Sequence, residues 1–184
     1  MQIKGIRVSV VVVVLAVTLG ILLTVQYFYQ KYNVEQPLFK MYSDTELVDD
    51  VKLDNEGEVV TVNLSVRKTE DLKEAYRELN GYTEKVLGHN QFHMELKDKR
   101  TKELSDAYYN SQYIIYEALA KGDFTEMAAE IQKNAKNTGA KARVFIDNDN
   151  VYISFIKGDK YLYEVIPRNN AASKVSGTLG SDAL

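Results

Sequence analysis

The amino-terminal part of the chain carries a long apolar run. No charged residue occurs from Val8 to Gln30, and valine, leucine and isoleucine make up most of the run. At about 1.5 Å of rise per residue, a helix of this length exceeds the roughly 30 Å hydrocarbon core of a bilayer. Soluble strands are much shorter, and a helix of a small soluble domain would alternate with polar positions. The pattern therefore predicts a transmembrane helix over residues 8–30, after a short tail at residues 1–7.

The end of this run indicates an anchor that is retained. A cleaved signal peptide has an apolar core of about 7–15 residues followed by small residues. Here the run is longer, and the small residues Ala16 and Gly20 lie inside it. Aromatic and basic side chains follow instead, and these suit the lipid headgroup region. The predicted membrane-interface residues are Tyr27, Phe28, Tyr29, Lys31 and Tyr32.

The charges around the run favour one orientation. Lys4 and Arg7 precede it with the amino terminus, whereas Lys31 and Lys40 follow it with Glu35 between them. This bias of positive charge is slight, but a short tail ahead of the first span tends to stay in the cytoplasm. We expect a single-pass protein of the cell membrane, with a cytoplasmic amino terminus and an extracytoplasmic carboxyl-terminal domain.

Beyond the apolar run, the pattern predicts a spacer, one globular domain and a tail. The spacer covers residues 31–46 and shows no clear periodicity, so we expect a short connection with room for a turn of helix. Residues 47–168 alternate between strand-like and helical patterns, and their number suits one ordinary domain with one core. Residues 169–184 are small and polar, so we expect them to be disordered.

Period-two alternation predicts six strands in the domain. The stretches LVDDVKLD and GEVVTVNLSVR flank a polar break at residues 55–57, as in a β-hairpin. Residues 92–96 form a third strand, which returns to the same sheet after an intervening helix. The stretches ARVFID, VYISFIKG and KYLYEVIP, joined by polar turns, predict a closing three-stranded meander.

Capping residues and glycines predict three helices between these strands. The first opens at Thr69 as N-cap and ends at Gly88. The second covers residues 101–121, and the third opens at Asp123, where Glu126 completes a capping box. The element order is therefore ββαβααβββ. We expect an α+β domain with one mixed sheet and helices mainly on one face.

The sequence carries few patterns that indicate a metal site. Its two histidines, His89 and His93, have the spacing of a helical zinc pair, but Gly88 and Asn90 indicate a loop there. The Asp and Asn residues at 147–150 resemble the start of a calcium loop, but the glycine and the late glutamate of such a loop are missing. Asx residues favour turns, so we expect a turn at this place.

The motifs of familiar enzymes are missing as well. The chain has no cysteine, no GxSxG nucleophile elbow and no glycine-rich phosphate loop. Asp49 and Asp50 could pair for acid–base chemistry, but a solvated strand end explains them equally well. The net charge of −3, with no basic helix, argues against a nucleic-acid partner. We expect a non-enzymatic domain without a cofactor, a metal ion or a nucleic-acid partner.

The most informative feature of the domain is the use of tyrosine. On the second predicted helix, apolar and small residues between 104 and 119 recur at helical spacing and should face the sheet. Tyr109, Tyr113 and Tyr116 recur at intervals of four and three residues on another flank. Tyrosine combines a large contact area with a polar tip, which suits a protein partner. These three residues are the candidate partner-binding site.

Both groups of tyrosines in the domain also have a structural interpretation. The third helix could fold over the flank of the second helix with Phe124, Met127 and Ile131. A further group lies on one face of the closing strands, opposite Ile153 and Leu162, where cross-strand aromatic pairing explains it without a ligand. This group consists of Tyr152, Tyr161 and Tyr163.

Two functions follow from these patterns and stay open. The first is a membrane-anchored domain that binds another protein or itself in assembly at the cell envelope. The second is a ligand-sensing domain that signals through a partner helix, for which Ala16 and Gly20 supply a pair of small residues. The tail at residues 1–7 is too short to hold an output domain, which counts against the second function.

Overall fold

The computed structural model describes residues 2–3, 6–32, 36–54, 59–88 and 91–168. Within these residues, five helices and eight short strands follow one another. From residue 48 onward their order is the expected ββαβααβββ, so the prediction of an α+β chain is confirmed. The expected hairpin loop at residues 55–57, His89 and the carboxyl-terminal tail at 169–184 lie outside the described residues.

The amino-terminal helix, α1, covers Val8–Gln30. It follows a small ladder in which β1, Gln2–Ile3, pairs antiparallel with β2, Ile6–Arg7. In the described part of the chain, α1 is the one helix long and apolar enough to cross a membrane, and none of Val10–Tyr29 is buried by the rest of the protein. These properties are compatible with a membrane anchor or with a signal sequence. The predicted apolar helix over residues 8–30 is confirmed.

Helix α2, Gln36–Ser43, occupies the segment that the sequence predicts to be a spacer. Its side chains Leu38 and Tyr42 are only 0% and 1% exposed. The Tyr42 hydroxyl lies 2.5 Å from Thr83 Oγ1, in a buried hydrogen bond. The spacer therefore contributes two turns of helix to the core, because two apolar residues four positions apart share one face of a helix.

The first sheet consists of three strands. β3, Val48–Asp54, pairs antiparallel with β4, Val60–Val66, and β4 pairs in parallel with β5, Phe92–Lys97. Helix α3, Leu72–Leu87, connects the two parallel strands, as the strand–helix–strand pattern predicts. Buried residues alternate along β4 and share a cluster with α3, which confirms the predicted alternation, although Val60 at the start of the strand is only half-buried. The buried residues are Val62, Leu64 and Val66.

The first turn of α3 differs from its prediction. The N-cap is Asp71, whose carboxylate accepts the backbone N–H of Glu74 at 2.9 Å. Thr69 lies two residues earlier, and its hydroxyl accepts the N–H of Asp71 at 3.3 Å. Both residue types cap helices, so the sequence alone did not separate them. The helix ends as predicted before Gly88, which has φ of 62°.

The second sheet is an antiparallel meander. Its strands are β6, Lys141–Ile146, β7, Asn150–Lys157, and β8, Lys160–Pro167, in that order across the sheet. Two helices precede it, α4, Lys102–Lys121, and α5, Phe124–Asn137. The meander is confirmed. The capping box predicted at Asp123 is wrong, because that side chain makes no capping hydrogen bond.

The prediction of one mixed sheet is wrong, because the six strands form two sheets. The chain leaves β5 after Lys97 and touches the edge of β8 through a single bridge between Lys99 and Tyr161. At the next free position of that edge, the Asp98 carboxylate accepts the backbone N–H of Tyr163 at 2.9 Å. The Asp98 side chain thus satisfies a backbone N–H group on the edge of β8, where a further strand would otherwise pair.

The meander has a packed layer on each of its faces. One face of β7 and β8 joins a cluster with α2, α3 and the first sheet. The other face joins a cluster with α4 and α5. Five consecutive residues of β7, from 151 to 155, are buried as a result. The expectation of helices mainly on one face is therefore wrong for this sheet, which lies between α3 and the α4–α5 pair.

Candidate functional site

Helix α4 presents one face to the meander and another to solvent. Its buried side chains recur at helical spacing and pack in the cluster that contains β7 and β8. The hydroxyl of Ser111 is also buried and donates to the carbonyl of Ala107 at 2.8 Å. Gly122, with φ of 88°, ends the helix. The residues that hold α4 against the sheet are Leu104, Ala107, Ser111, Ile115 and Ala118.

Tyr109, Tyr113 and Tyr116 lie on the outer side of α4, and we call them the tyrosine surface. At about 100° per residue, they lie roughly 120–180° around the helix from Leu104. Their exposed fractions are 63%, 82% and 63%. Within the described residues, their hydroxyls have no hydrogen-bond partner. Tyrosines with this exposure present three aromatic rings to solvent along about 10 Å of helix.

Helix α5 does not cover the tyrosine surface. It packs along a different flank of α4, where the Asn134 amide donates to Ser111 Oγ at 3.1 Å and to the Asn110 carbonyl at 3.3 Å. Met127 and Ile131 are buried in the core rather than over the tyrosines. The interpretation in which the third predicted helix folds over this flank is therefore wrong.

Tyr108, next to the tyrosine surface in sequence, shows the contrast within one helix. It is half-buried and packs against the core that α4 shares with the meander. Burial raises the pKa of its hydroxyl well above the ordinary value, and the nearby Glu164 carboxylate adds to this rise. Tyr108 and Tyr109 are adjacent in sequence but lie about 100° apart around the helix, so the first packs against the core and the second is exposed.

The tyrosines of the closing strands, Tyr152, Tyr161 and Tyr163, are buried, and we call them the sheet tyrosines. They face α3 and the first sheet, on the side opposite Ile153 and Leu162, as the alternation predicts. The Tyr161 hydroxyl donates to the Val66 carbonyl at 2.8 Å. These residues connect the two sheets.

Ring contacts of the sheet tyrosines differ from the predicted cross-strand pairing. The rings of Tyr161 and Tyr163 lie 5.0 Å apart along the same strand, and Tyr152 lies 5.7 Å from Tyr76 of α3. The Tyr163 hydroxyl accepts the backbone N–H of Thr69 at 2.6 Å. Burial raises the pKa of both Tyr152 and Tyr163 to about 12. All three are satisfied by contacts within the fold.

A buried carboxylate that the sequence analysis missed lies beside the sheet tyrosines. The side chain of Asp98 is 1% exposed, and its two oxygens accept from Arg100 Nε at 2.9 Å and Nη2 at 2.8 Å. Arg100 also reaches Glu164, whose pKa is raised mainly by burial. Both oxygens of Asp98 accept hydrogen bonds. Through them, Asp98 holds the edge of β8 against the loop between β5 and α4. No pattern in the sequence distinguishes Asp98 from an ordinary loop aspartate.

The other candidate side chains of the sequence analysis form no reactive group. Asp49 pairs with Arg67 at 2.5 Å, and Asp50 lies 3.9 Å from Lys52, so the two carboxylates have separate partners. The Asp147 carboxylate accepts the backbone N–H groups of Asp149 and Asn150 at 2.9 and 2.8 Å, which confirms the predicted turn. Within the described ranges, no three His, Asp or Glu side chains lie close enough to hold a metal ion.

The predicted membrane-interface residues lie at the end of α1 and just beyond it. Lys31 Nζ lies 5.8 Å from the centre of the Tyr27 ring, and the rings of Phe28 and Tyr32 stack 6.0 Å apart. Tyr29 is exposed as well. A groove of about 790 Å³ opens next to them, between Lys31 and the outer surfaces of α2 and β3.

Comparisons with known proteins assign the chain to no family. No protein-family model matches the chain, and no curated protein sequence matches it significantly.

Proposed function

We propose that the chain is a single-pass membrane protein whose non-enzymatic α+β domain lies outside the cytoplasm and binds a protein through the tyrosine surface. The partner is another protein or a second copy of the chain, in assembly at the cell envelope. The observation that carries this proposal is the exposure of Tyr109, Tyr113 and Tyr116 on the side of α4 that faces away from the core.

The exposure of α1 supports the anchor. Each large apolar side chain left in water forgoes about 1.5–3 kcal/mol of burial free energy, and residues 10–29 find no cover in the rest of the protein. Lipid supplies that cover, and the helix satisfies its own backbone hydrogen bonds there. The aromatic and basic residues at its end match the chemistry of the headgroup region.

The chemistry of the tyrosine surface supports a protein partner. A tyrosine ring contributes a large contact area at a small cost in side-chain entropy, and its hydroxyl forms a hydrogen bond at the edge of an interface. Aromatic residues are concentrated at the centres of protein interfaces for this reason. Three of them in a row on a rigid helix form a surface that needs no rearrangement before it binds.

The anchor is tested by fractionating cells that express the full chain. We expect the protein in the membrane pellet after alkaline extraction, with an intact mass that includes residues 1–30. Recovery of full-length protein in the aqueous supernatant, or a mass that lacks the amino-terminal run, would overturn the anchor.

The orientation is tested with single cysteines, because the natural chain has none. Lys133→Cys places a thiol on an exposed position of α5, and Gln2→Cys places one ahead of α1. We expect a membrane-impermeant maleimide to label Lys133→Cys in intact cells and Gln2→Cys only after lysis. The reverse labelling pattern would place the domain in the cytoplasm.

The partner-binding role is tested by crosslinking in native membranes. A photoreactive phenylalanine at position 113 should give a discrete crosslinked band, at twice the mass of the chain for a second copy or at another mass for a different protein. Tyr109→Ser with Tyr116→Ser in the same chain should remove the band. The matched control, Gln132→Ala with Lys136→Ala on exposed positions of α5, should keep it. Absence of any crosslinked band at position 113 would overturn the role.

A further inference from the structure

The segment after α1 holds one particular side of the domain close to the end of the apolar helix. Tyr32 and Gln36 are four residues apart, and four residues span at most about 14 Å even when fully extended. Helix α2 begins at Gln36 and is fixed to the domain by its buried residues Leu38 and Tyr42. No long flexible linker therefore separates the domain from the end of α1.

The surface formed by α2 and β3 at this place is amphipathic. Phe39 is 55% exposed, although it is large and apolar. Lys40 and Lys52 are also exposed, and together with Phe39 and with Lys31 at the end of α1 they line the 790 Å³ groove. Val51 and Leu53, which are half-buried, also line the groove.

Among the described residues, the charged side chains that line this groove are three lysines, whereas Asp49 and Asp50 border a second, smaller groove beside Phe39. Lys40 makes no ion pair with any described residue. Lys52 faces Asp50 at 3.9 Å, but the side chains are 74% and 53% exposed, so water screens this pair strongly. Lys31 Nζ lies over the Tyr27 ring and makes no ion pair with a described residue. Three ammonium groups thus line one groove with the exposed Phe39 ring, and the carboxylates of Asp49 and Asp50 lie at the neighbouring groove.

We infer that the α2–β3 surface rests on the membrane and binds anionic phospholipid. In this arrangement Lys31, Lys40 and Lys52 contact lipid phosphates, and Phe39 enters the headgroup layer. The inference depends on the proposed anchor, because α1 keeps this surface at the bilayer. Basic residues near a membrane surface are attracted to anionic lipids, and aromatic rings partition into the interface.

Lipid fits this surface better than a protein partner does. The short link from α1 holds Lys40 and Phe39 at the height of the headgroups, where a second protein would have to displace lipid. The tyrosine surface, by contrast, lies on α4, which packs on the other face of the meander. Docking of α2 and β3 on lipid would leave the tyrosine surface free for a partner.

The test uses tryptophan fluorescence, because the natural chain contains no tryptophan. Full-length Phe39→Trp is reconstituted into phosphatidylcholine vesicles and into equimolar phosphatidylcholine–phosphatidylglycerol vesicles, each with and without brominated lipid. Tyr113→Trp is the matched control, at an exposed position of α4. We expect a blue-shifted emission and loss of fluorescence to brominated lipid for Phe39→Trp in anionic vesicles, and neither effect for Tyr113→Trp.

The lysines are tested in the Phe39→Trp background. Lys40→Gln with Lys52→Gln should reduce the quenching in anionic vesicles, as should high salt. Lys136→Gln with Lys141→Gln removes the same charge from exposed positions elsewhere and should leave the quenching unchanged. Equal quenching in neutral and anionic vesicles would overturn the anionic-lipid inference.

Flotation of the vesicles separates this inference from the proposed anchor. A chain that fails to float with the vesicles overturns the anchor, and the inference with it. A chain that floats while Phe39→Trp keeps the unquenched emission of Tyr113→Trp overturns the inference alone. If Phe39→Trp is shielded from water in native membranes but in none of the pure lipid vesicles, the surface binds protein. That result also overturns the inference.

Discussion

The tyrosine surface and the sheet tyrosines place the same residue type in opposite surroundings. The three side chains on α4 are at least 63% exposed, whereas the three on the closing strands are at most 2% exposed. The hydroxyls of the sheet tyrosines bond to carbonyl, amide and carboxylate groups of the fold. Tyrosine therefore stabilises the domain at one place and is exposed to solvent at the other.

The largest expected effect comes from removing a sheet tyrosine. Tyr163→Ala should lower the free energy of unfolding by about 3–5 kcal/mol, because it empties a buried aromatic site and removes the hydrogen bonds to Thr69. Chemical denaturation of the full chain in detergent, followed by circular dichroism, measures this. Tyr113→Ala is the matched control and should change stability by less than about 0.5 kcal/mol. Equal losses in the two variants would contradict the contrast between the two groups.

The edge of β8 that carries these tyrosines should depend on Asp98. Asp98→Asn keeps the shape of the side chain but removes the charge that Arg100 contacts through two nitrogens. Because Arg100 is about half exposed, we expect a loss of about 2 kcal/mol rather than the larger cost of a fully buried pair. Asp50→Asn, whose pair with Lys52 is exposed, should cost less than about 0.5 kcal/mol. Similar losses from both changes would contradict a structural role for Asp98.

A smaller, pH-dependent effect is expected at Asp147, which accepts a hydrogen bond from the Tyr152 hydroxyl at 2.8 Å. Burial acts to raise the pKa of Asp147, but hydrogen bonds from the Asn150 backbone, Tyr152 and the Asp149 backbone hold it below its usual value. Because the native pKa is the lower one, the carboxylate stabilises the fold above about pH 4 and loses this effect as the pH falls through the native pKa.

The Asp147→Asn variant checks that direction. We expect it to be less stable than the natural chain near neutral pH by at most about 1 kcal/mol. The difference in the free energy of unfolding should shrink as the pH falls below about 4. A difference that grew with acidity would show that the hydrogen bonds do not favour the charged form.

The smallest effect on stability is expected at the tyrosine surface itself. Tyr109→Ser, Tyr113→Ser and Tyr116→Ser in one chain should change the free energy of unfolding by less than about 0.5 kcal/mol per residue. Sedimentation velocity of the natural chain and the variant in the same detergent measures association separately. A large loss of stability in the variant would mean that these rings support the fold, and the contrast with the sheet tyrosines would not hold.

Local patterns were sufficient for much of the fold. The structure confirms the uncharged run as α1, the alternation in β4, and the glycines that end α3 and α4. Each of these patterns lies within one helix or strand or directly at its end. Patterns that depend on distant residues were less informative. Leu38 and Tyr42 gave no periodicity that separates a core helix from a linker, because Phe39 and Met41 lie between them and eight residues are too few to show which apolar positions face the core.

The candidate site shows the same limit. Helical spacing placed Tyr109, Tyr113 and Tyr116 together on one flank of α4, and the structure confirms that they share it. Whether α5 covers that flank depended on how two helices pack, which their separate patterns do not contain. Asp98 was missed for the same reason, since its partners Arg100 and Tyr163 meet only in the folded chain.

The sequence by itself determined the apolar helix, the α+β class and the order of strands and helices. Only the tertiary structure decided that the strands form two sheets, that the meander is covered on both faces, and which tyrosines stay exposed. Periodicity reports which residues of one element share a face, because side-chain direction repeats along a helix or strand. It does not report which other element covers that face, because that depends on contacts between residues far apart in the chain.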